Sequence, residues 1–250
     1  MSPNRTEPAA PSTPIRALVF DVFGTVVDWR GSIVREGDAL TAAHGWQADW
    51  PAFADAWRAG YQPAMQRAMQ PGVDGQIAWA HIDALHRGIL ETLLPRFGLE
   101  HLDEAERVRL NLVWHRLDPW PDVLAGLRRL KSRFTISTLS NGNVSLLVDM
   151  AKRARLPWDC VLSAELFRRY KPDPAVYLGA AELLGVAPAE LLMVAAHPSD
   201  LAAAAAAGLK TAYVERPLEH GPGGHHAPPP GQQFDHVATS FVELAAQLGA

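Results

Sequence analysis

The sequence predicts an α/β protein, a doubly wound parallel sheet with a helical cap inserted after the first strand. Three observations carry that reading. Short, almost unbroken apolar runs alternate with segments of helical period from residue 134 to the end, the pattern of βαβ units. Residues 29–117 break the rhythm: they show helical spacing, no convincing strand, and six of the eight tryptophans. Residues able to do chemistry fall just after four of the apolar runs, at the sheet edge where open α/β sheets bind ligands.

The elements follow in order. Arg16-Ala-Leu-Val-Phe-Asp-Val, closed by Gly24-Thr25, reads as a strand buried on both faces. Further strands are expected at 134–139, 160–163, 191–196 and 211–214, with a weaker one at 236–238. Helices are expected at 122–131, 144–155, 175–184, 200–207 and 241–248. The catalytic core is thus assigned to 15–28 and 118–250, and the cap to 29–117. Residues 217–233 form a Pro/Gly/His-rich loop without periodicity. Residues 1–14 lack the apolar stretch of a signal peptide and read as a disordered lead.

At 250 residues, 48% hydrophobic and 20% charged, the chain can bury a core of one domain plus an insertion. A net charge of −4 offers no basic excess for nucleic acid or an anionic membrane, and neither is expected as a partner. One cysteine, Cys160, excludes an internal disulfide and suits a reducing, cytoplasmic location; it reads as an inert buried thiol. No apolar run approaches the ~18–20 residues of a membrane span.

Four signals carry the chemistry. Asp21-Val-Phe-Gly-Thr25 sets a carboxylate and a hydroxyl at the end of the first strand; alone, both also read as turn-capping residues. Ser140-Asn141-Gly142-Asn143 leaves a strand and enters a helix, where hydroxyl, amide and backbone N–H groups can gather around an anion. A plain helix cap at Asn141 or Asn143 reads the same way. Lys171-Pro-Asp-Pro places a lysine before a helix that Asp173 can cap, though a solvated lysine fits too. His197-Pro-Ser-Asp200 follows the strand at 191–196, and is equally an ordinary helix start.

All four together, in this order at strand ends, resemble the haloacid dehalogenase superfamily over roughly residues 15–248. That resemblance implies a Rossmann-like core and an Asp nucleophile, a Ser/Thr, a Lys and an acidic residue as the four motifs. Most of the superfamily are phosphatases with a second Asp two residues after the nucleophile, which protonates the leaving alkoxide. Phe23 stands there and cannot donate a proton, whereas a departing halide needs none. Together with Ser-Asn-Gly, Lys-Pro-Asp-Pro-x-x-Tyr and the helical insertion, this form is similar to the L-2-haloacid dehalogenases. The resemblance implies hydrolysis of haloacetate or an L-2-haloacid through an ester on Asp21.

The implied roles are these. Asp21 is the nucleophile, Thr25 and Lys171 orient it, and Asp200 positions water. Ser140 binds the substrate carboxylate, Asn141 and Arg58 face the halide, and Tyr177 stands near the nucleophile. The fourth motif departs from the Ser-x-Asn of well-known members, with Ala195 and His197 at those positions. His197 is therefore either a base for water or an orienting histidine. This form also resembles a subgroup acting on haloacetates, including fluoroacetate. No cofactor is implied, and His220, His225 and His226 are not expected to hold a metal, having no carboxylate or cysteine at ligand spacing. Trp46, Trp50, Phe53 and Trp57 read as core, one or two of them walling the pocket. The wealth of aromatics also suggests a homodimer. The alternatives are a Mg²⁺-dependent phosphatase and a non-catalytic binding protein on the same scaffold.

Overall fold

A computed structural model describes residues 13–72, 75, 77, 79–224 and 231–250. Strand β1 (Ala17–Phe20) leads to a two-residue strand β2 (Val27–Asp28) and four helices: α1 (Trp29–His44), α2 (Trp50–Ala68), α3 (Ile82–Leu93) and α4 (Glu104–Asn111). The chain returns through β3 (Asp118–Pro119). It continues as α5 (Val123–Lys131), β4 (Thr135–Ser140), α6 (Val144–Ala154), β5 (Cys160–Ser163), α7 (Pro174–Leu183), β6 (Leu191–Ala195), α8 (Pro198–Ala206), β7 (Lys210–Val214), β8 (His236–Ala238) and α9 (Phe241–Gln247). Every strand and helix expected outside the insertion is present, with bounds within two residues of the expectation.

The main sheet runs β5-β4-β1-β6-β7-β8, and every neighbouring pair is parallel. Strand β1 pairs with β4 on one side and β6 on the other, so the order reverses beside it. That reversal opens the crevice of a switch point at the carboxyl ends. Both faces are covered. Ala17, Val19, Leu191, Met193 and Ala195 pack with Tyr177, Ala180 and Leu201 of α7 and α8. Leu18, Phe20, Leu192 and Val194 belong to a second cluster that continues through α5, α6 and α9 into the insertion. A strand buried on both faces needs apolar residues at every position, which is why these strands stand out in the sequence.

The ribbon β2–β3 was not expected. Val27 pairs with Pro119 and Asp28 with Asp118, antiparallel, where the chain leaves the core and comes back. Ser32 reinforces it: its hydroxyl donates to the Asp28 carbonyl (2.6 Å) and accepts the Asp118 N–H (2.8 Å). A two-residue ladder is too short to leave a periodic trace.

Inside the insertion, Trp29, Trp46, Trp50, Phe53, Trp57 and Trp114 are all buried. Phe53, Trp57 and Trp114 form an edge-to-face chain with ring centres 5.3 and 5.6 Å apart. These tryptophans serve the interior. Cys160 is half-buried rather than enclosed. Among the described residues no helix is long and apolar enough to cross a membrane.

One buried ion pair ties the nucleophile's loop to the rest. Arg216, just after β7, donates from Nε to the Thr25 carbonyl (2.8 Å) and from both terminal nitrogens to Asp122 (2.8 and 3.1 Å). Asp122 also accepts the Phe241 N–H (2.7 Å). Removing the carboxylate strands a buried guanidinium, an effect worth about 3–5 kcal/mol. Asp122→Ala is therefore expected to lower the unfolding free energy in urea by that amount; a loss within about 0.5 kcal/mol would contradict the assignment.

Candidate active site

Four loops at the carboxyl edge of the sheet and one face of α2 enclose a cavity of about 790 Å³. Asp21 enters it directly after β1, its N–H held by the Val194 carbonyl of β6 (3.0 Å). Gly24 then turns the chain with φ +85°, a conformation that disfavours any residue with a Cβ. A Cβ there would also lie 2.1 Å from Oε1 of Glu219, which packs against this turn. From α2 come Arg58, Tyr61, Gln62, Met65 and Gln66, with Met69 at its C-cap, all lining the cavity at the three- and four-residue spacing of one helical face.

The Asp21 carboxylate is almost fully buried and receives three side-chain donors. Oδ2 accepts the Thr25 hydroxyl (2.7 Å) and Nδ1 of His197 (3.0 Å), while Oδ1 accepts Nζ of Lys171 (3.0 Å). Burial alone would raise its pKa, but the Lys171 and His197 charges and these hydrogen bonds hold it far below the usual carboxylate range. Thr25 is itself fixed, accepting the Ala196 N–H (2.9 Å). Lys171 bridges Asp21 and Asp200, donating to Oδ2 of Asp200 as well, and Tyr177 donates to the other Asp200 oxygen (2.6 Å). Burial would favour a neutral amine at Lys171; the two carboxylates reverse that and raise its pKa.

His197 is engaged at both ring nitrogens. Nδ1 meets Asp21 and Nε2 meets the Glu219 carboxylate at 2.9 and 3.0 Å. A carboxylate only accepts, so both nitrogens must carry protons and the ring is an imidazolium. Burial opposes the charge, yet Glu219 and Asp21 push the pKa up to about 10. In the resting site the ring therefore has no free lone pair with which to take a proton from water. Glu219 also accepts Nε1–H of Trp29 (3.1 Å).

Arg58 lies over the Tyr61 ring (4.7 Å) and near Trp29 (5.7 Å), and its buried Nη1 has no hydrogen-bond partner among the described residues. A buried, unpaired guanidinium nitrogen lining a cavity is a seat for an anion. Phe23 walls the same region, edge-on to Tyr61 and Trp114. His86 stacks on Trp114 at 4.0 Å, and burial pushes its pKa down to about 3, leaving a neutral ring.

Nine residues singled out in the sequence converge here: Asp21, Phe23, Thr25, Arg58, Asn141, Lys171, Tyr177, His197 and Asp200. Asn141 lines the cavity; its Oδ1 accepts the Lys171 backbone N–H (2.8 Å) and its Nδ2 faces the Met65 sulfur (3.4 Å). Ser140 stands apart: it is fully enclosed, does not line the cavity, and its hydroxyl accepts the Gly142 N–H (3.1 Å). Asn143 holds the cap position of α6 but donates instead to Asp83 of α3 (2.8 Å). The insertion tryptophans at 46, 50 and 57 are not among the lining residues, where Phe23, Tyr61, Tyr170 and Tyr177 take the aromatic places.

Sequence reasoning missed Glu219, which sits in the loop without periodicity, and Tyr61 and Tyr170, which carry no motif. Among the described residues no cluster of three metal-ligating side chains is present; His225 and His226 lie outside them.

An anion bound at Arg58 stabilises the fold by about 1.4 kcal/mol at ten times its Kd. Bromide is expected to raise the melting temperature of the wild type and to lose most of that effect in Arg58→Met. An equal rise in both proteins would place the anion elsewhere.

A profile of the haloacid dehalogenase-like hydrolases matches residues 15–208. Two solved structures align with this chain at a TM-score of 0.88 each. An L-2-haloacid dehalogenase is 48% identical, covering 94% of this chain and 99% of its own. A defluorinating L-2-haloacid dehalogenase is 44% identical, covering 94% and 96%. The L-2-haloacid dehalogenase from Xanthobacter autotrophicus with chloropropionic acid covalently bound aligns at 25% identity and TM-score 0.78, covering 94% and 99%. On the profile match and these two close structures, the chain belongs to the haloacid dehalogenase-like hydrolases.

Proposed function

We propose that the protein hydrolyses short 2-haloalkanoic acids, haloacetate or an L-2-haloacid, to the 2-hydroxy acid and halide through an ester on Asp21. The observation that carries the reading is the pairing of an ionised Asp21 with Phe23. The first is a nucleophile; the second stands where a phosphatase needs a proton donor. Oδ1 has one donor against two on Oδ2, so Oδ1 keeps the freer lone pair and attacks the carbon. The carbon–halogen bond breaks with its electron pair, and the halide departs toward Arg58 and Asn141. Only this step touches the substrate carbon, so its configuration inverts.

Water then attacks Cγ of the ester, giving a proton to Asp200. Collapse breaks the Cγ–Oδ1 bond, and the departing oxygen takes a proton from Lys171, 3.0 Å from Oδ1 in the resting site. Lys171 recovers its proton from Asp200, to which it is hydrogen-bonded. The regenerated Asp21 acid loses its own proton to solvent, balancing the halide as HX. The Lys171 ammonium already bridges the two carboxylates that a phosphatase of this fold uses for Mg²⁺, so the proposed reaction calls on no metal. Ser140 shapes the loop after β4 in this reading, its hydroxyl accepting the Gly142 N–H.

Purified protein mixed with fluoro-, chloro- and bromoacetate and both 2-chloropropionate enantiomers is expected to release halide, with the (S) enantiomer preferred and EDTA without effect. Asp21→Asn should lose about 10³-fold or more, the scale of nucleophile removal. Activity that EDTA abolishes and Mg²⁺ restores, or Asp21→Asn retaining a tenth of the rate, would contradict the reading. Release of phosphate from phosphomonoesters without halide release would favour the phosphatase.

A further inference from the structure

We propose that His197, held as an imidazolium by Glu219, is the electrophile that stabilises the oxyanion on Oδ2 during hydrolysis of the Asp21 ester. Glu219 is the positioning residue that keeps it so. The inference rests on the ester mechanism above and concerns its second half.

Geometry separates the two oxygens of Asp21. If Oδ1 becomes the ester oxygen, Oδ2 becomes the ester carbonyl, still facing the Thr25 hydroxyl (2.7 Å) and Nδ1–H of His197 (3.0 Å). When water bonds to Cγ, the carbonyl π pair moves onto Oδ2. The same two donors then meet a full negative charge, and the pair returns when the Cγ–Oδ1 bond breaks. Donors aimed in advance at the oxygen where charge develops lower the barrier without reorganising. A neutral imidazole acting as base would have to present a bare nitrogen to water. Here one nitrogen faces Oδ2 and the other faces Glu219.

Glu219 is placed for this and for little else. It is buried, it approaches both Nε2 of His197 and Nε1 of Trp29, and the turn at Gly24 leaves room for it only because that residue has no Cβ. Alkylation removes the charge of Asp21, which leaves Glu219 as the anion in contact with the ring. The other charged or titratable groups facing this pair are Arg58 and Arg216, whose charges reach Glu219; Tyr213, which feels the Glu219 charge; Lys171 and Asp200, across Asp21; and His220, 3.9 Å from Glu219. Asp21, Asp200 and Glu219 balance Lys171, His197 and Arg58 in formal charge, and Asp122 balances Arg216.

The test separates the two half-reactions. Rapid mixing with chloroacetate, read as free chloride and as the mass adduct on Asp21, gives ester formation and ester decay independently. In the wild type, decay is expected to vary less than about twofold from pH 6 to 9. Glu219→Gln should keep the chloride burst within a few-fold while its adduct decay falls about tenfold or more as pH rises across that range. The ring there ionises near its ordinary ~6.5. His197→Gln should decay slowly and without that pH dependence, which keeps the test alive if Glu219→Gln does not fold. Adduct decay in Glu219→Gln that rises with pH, or stays flat at the wild-type rate, overturns the proposal while leaving the ester mechanism standing. Absence of any burst or adduct in the wild type overturns the ester mechanism itself.

Discussion

A carboxylate kept ionised out of water is the condition on which the rest of this structure depends. Burial of Asp21 favours its protonated, unreactive form, and only donors fixed in advance can reverse that preference. Those donors come from three places far apart in the chain: Thr25 in the same turn, Lys171 before α7, and His197 after β6. The sheet order brings them together. With β1 between β4 and β6, the loops of all three strands open into one crevice, and Asn141 from the β4 loop anchors the backbone of Lys171. The fold is therefore a device for delivering two cations and a hydroxyl to one carboxylate.

The outer ring of contacts follows the same logic. Lys171 and His197 would each resist burial as cations, and each has its own second carboxylate, Asp200 and Glu219. Each partner is in turn held by one aromatic donor, the Tyr177 hydroxyl or the Trp29 indole. Removing either carboxylate leaves a largely buried charge without its counter-charge, so these residues act through the groups they hold. Arg58 differs in having an Nη1 with no hydrogen-bond partner among the described residues, which suits a group that waits for an anion.

How far the sequence reveals this depends on what each residue must satisfy. The strands of the core are legible because burial on both faces forces continuous apolar runs, and their ends are legible because motifs follow them. Thus Asp21, Asn141, Lys171 and His197 are placed at strand ends from the sequence alone. The ribbon β2–β3 is not legible, since two paired residues have no period. Glu219 is invisible for a different reason: its partners, His197 and Trp29, are 22 and 190 residues away, and its loop has no pattern. In α2, periodicity reports burial without saying against what. It marks Trp57 and Tyr61 alike, and both join the core cluster, yet only Tyr61 also lines the cavity. Ser140 shows the converse, a motif residue that the fold encloses.

The central claim, that Asp21 and not water attacks the substrate carbon, has one direct measurement. A single turnover is run in H₂¹⁸O with enzyme in excess over chloroacetate, and both product and protein are analysed by mass. The account predicts glycolate whose new hydroxyl carries ordinary oxygen, with ¹⁸O appearing in the peptide that contains Asp21. Glycolate carrying ¹⁸O in that first turnover, with the Asp21 peptide unlabelled, would contradict it.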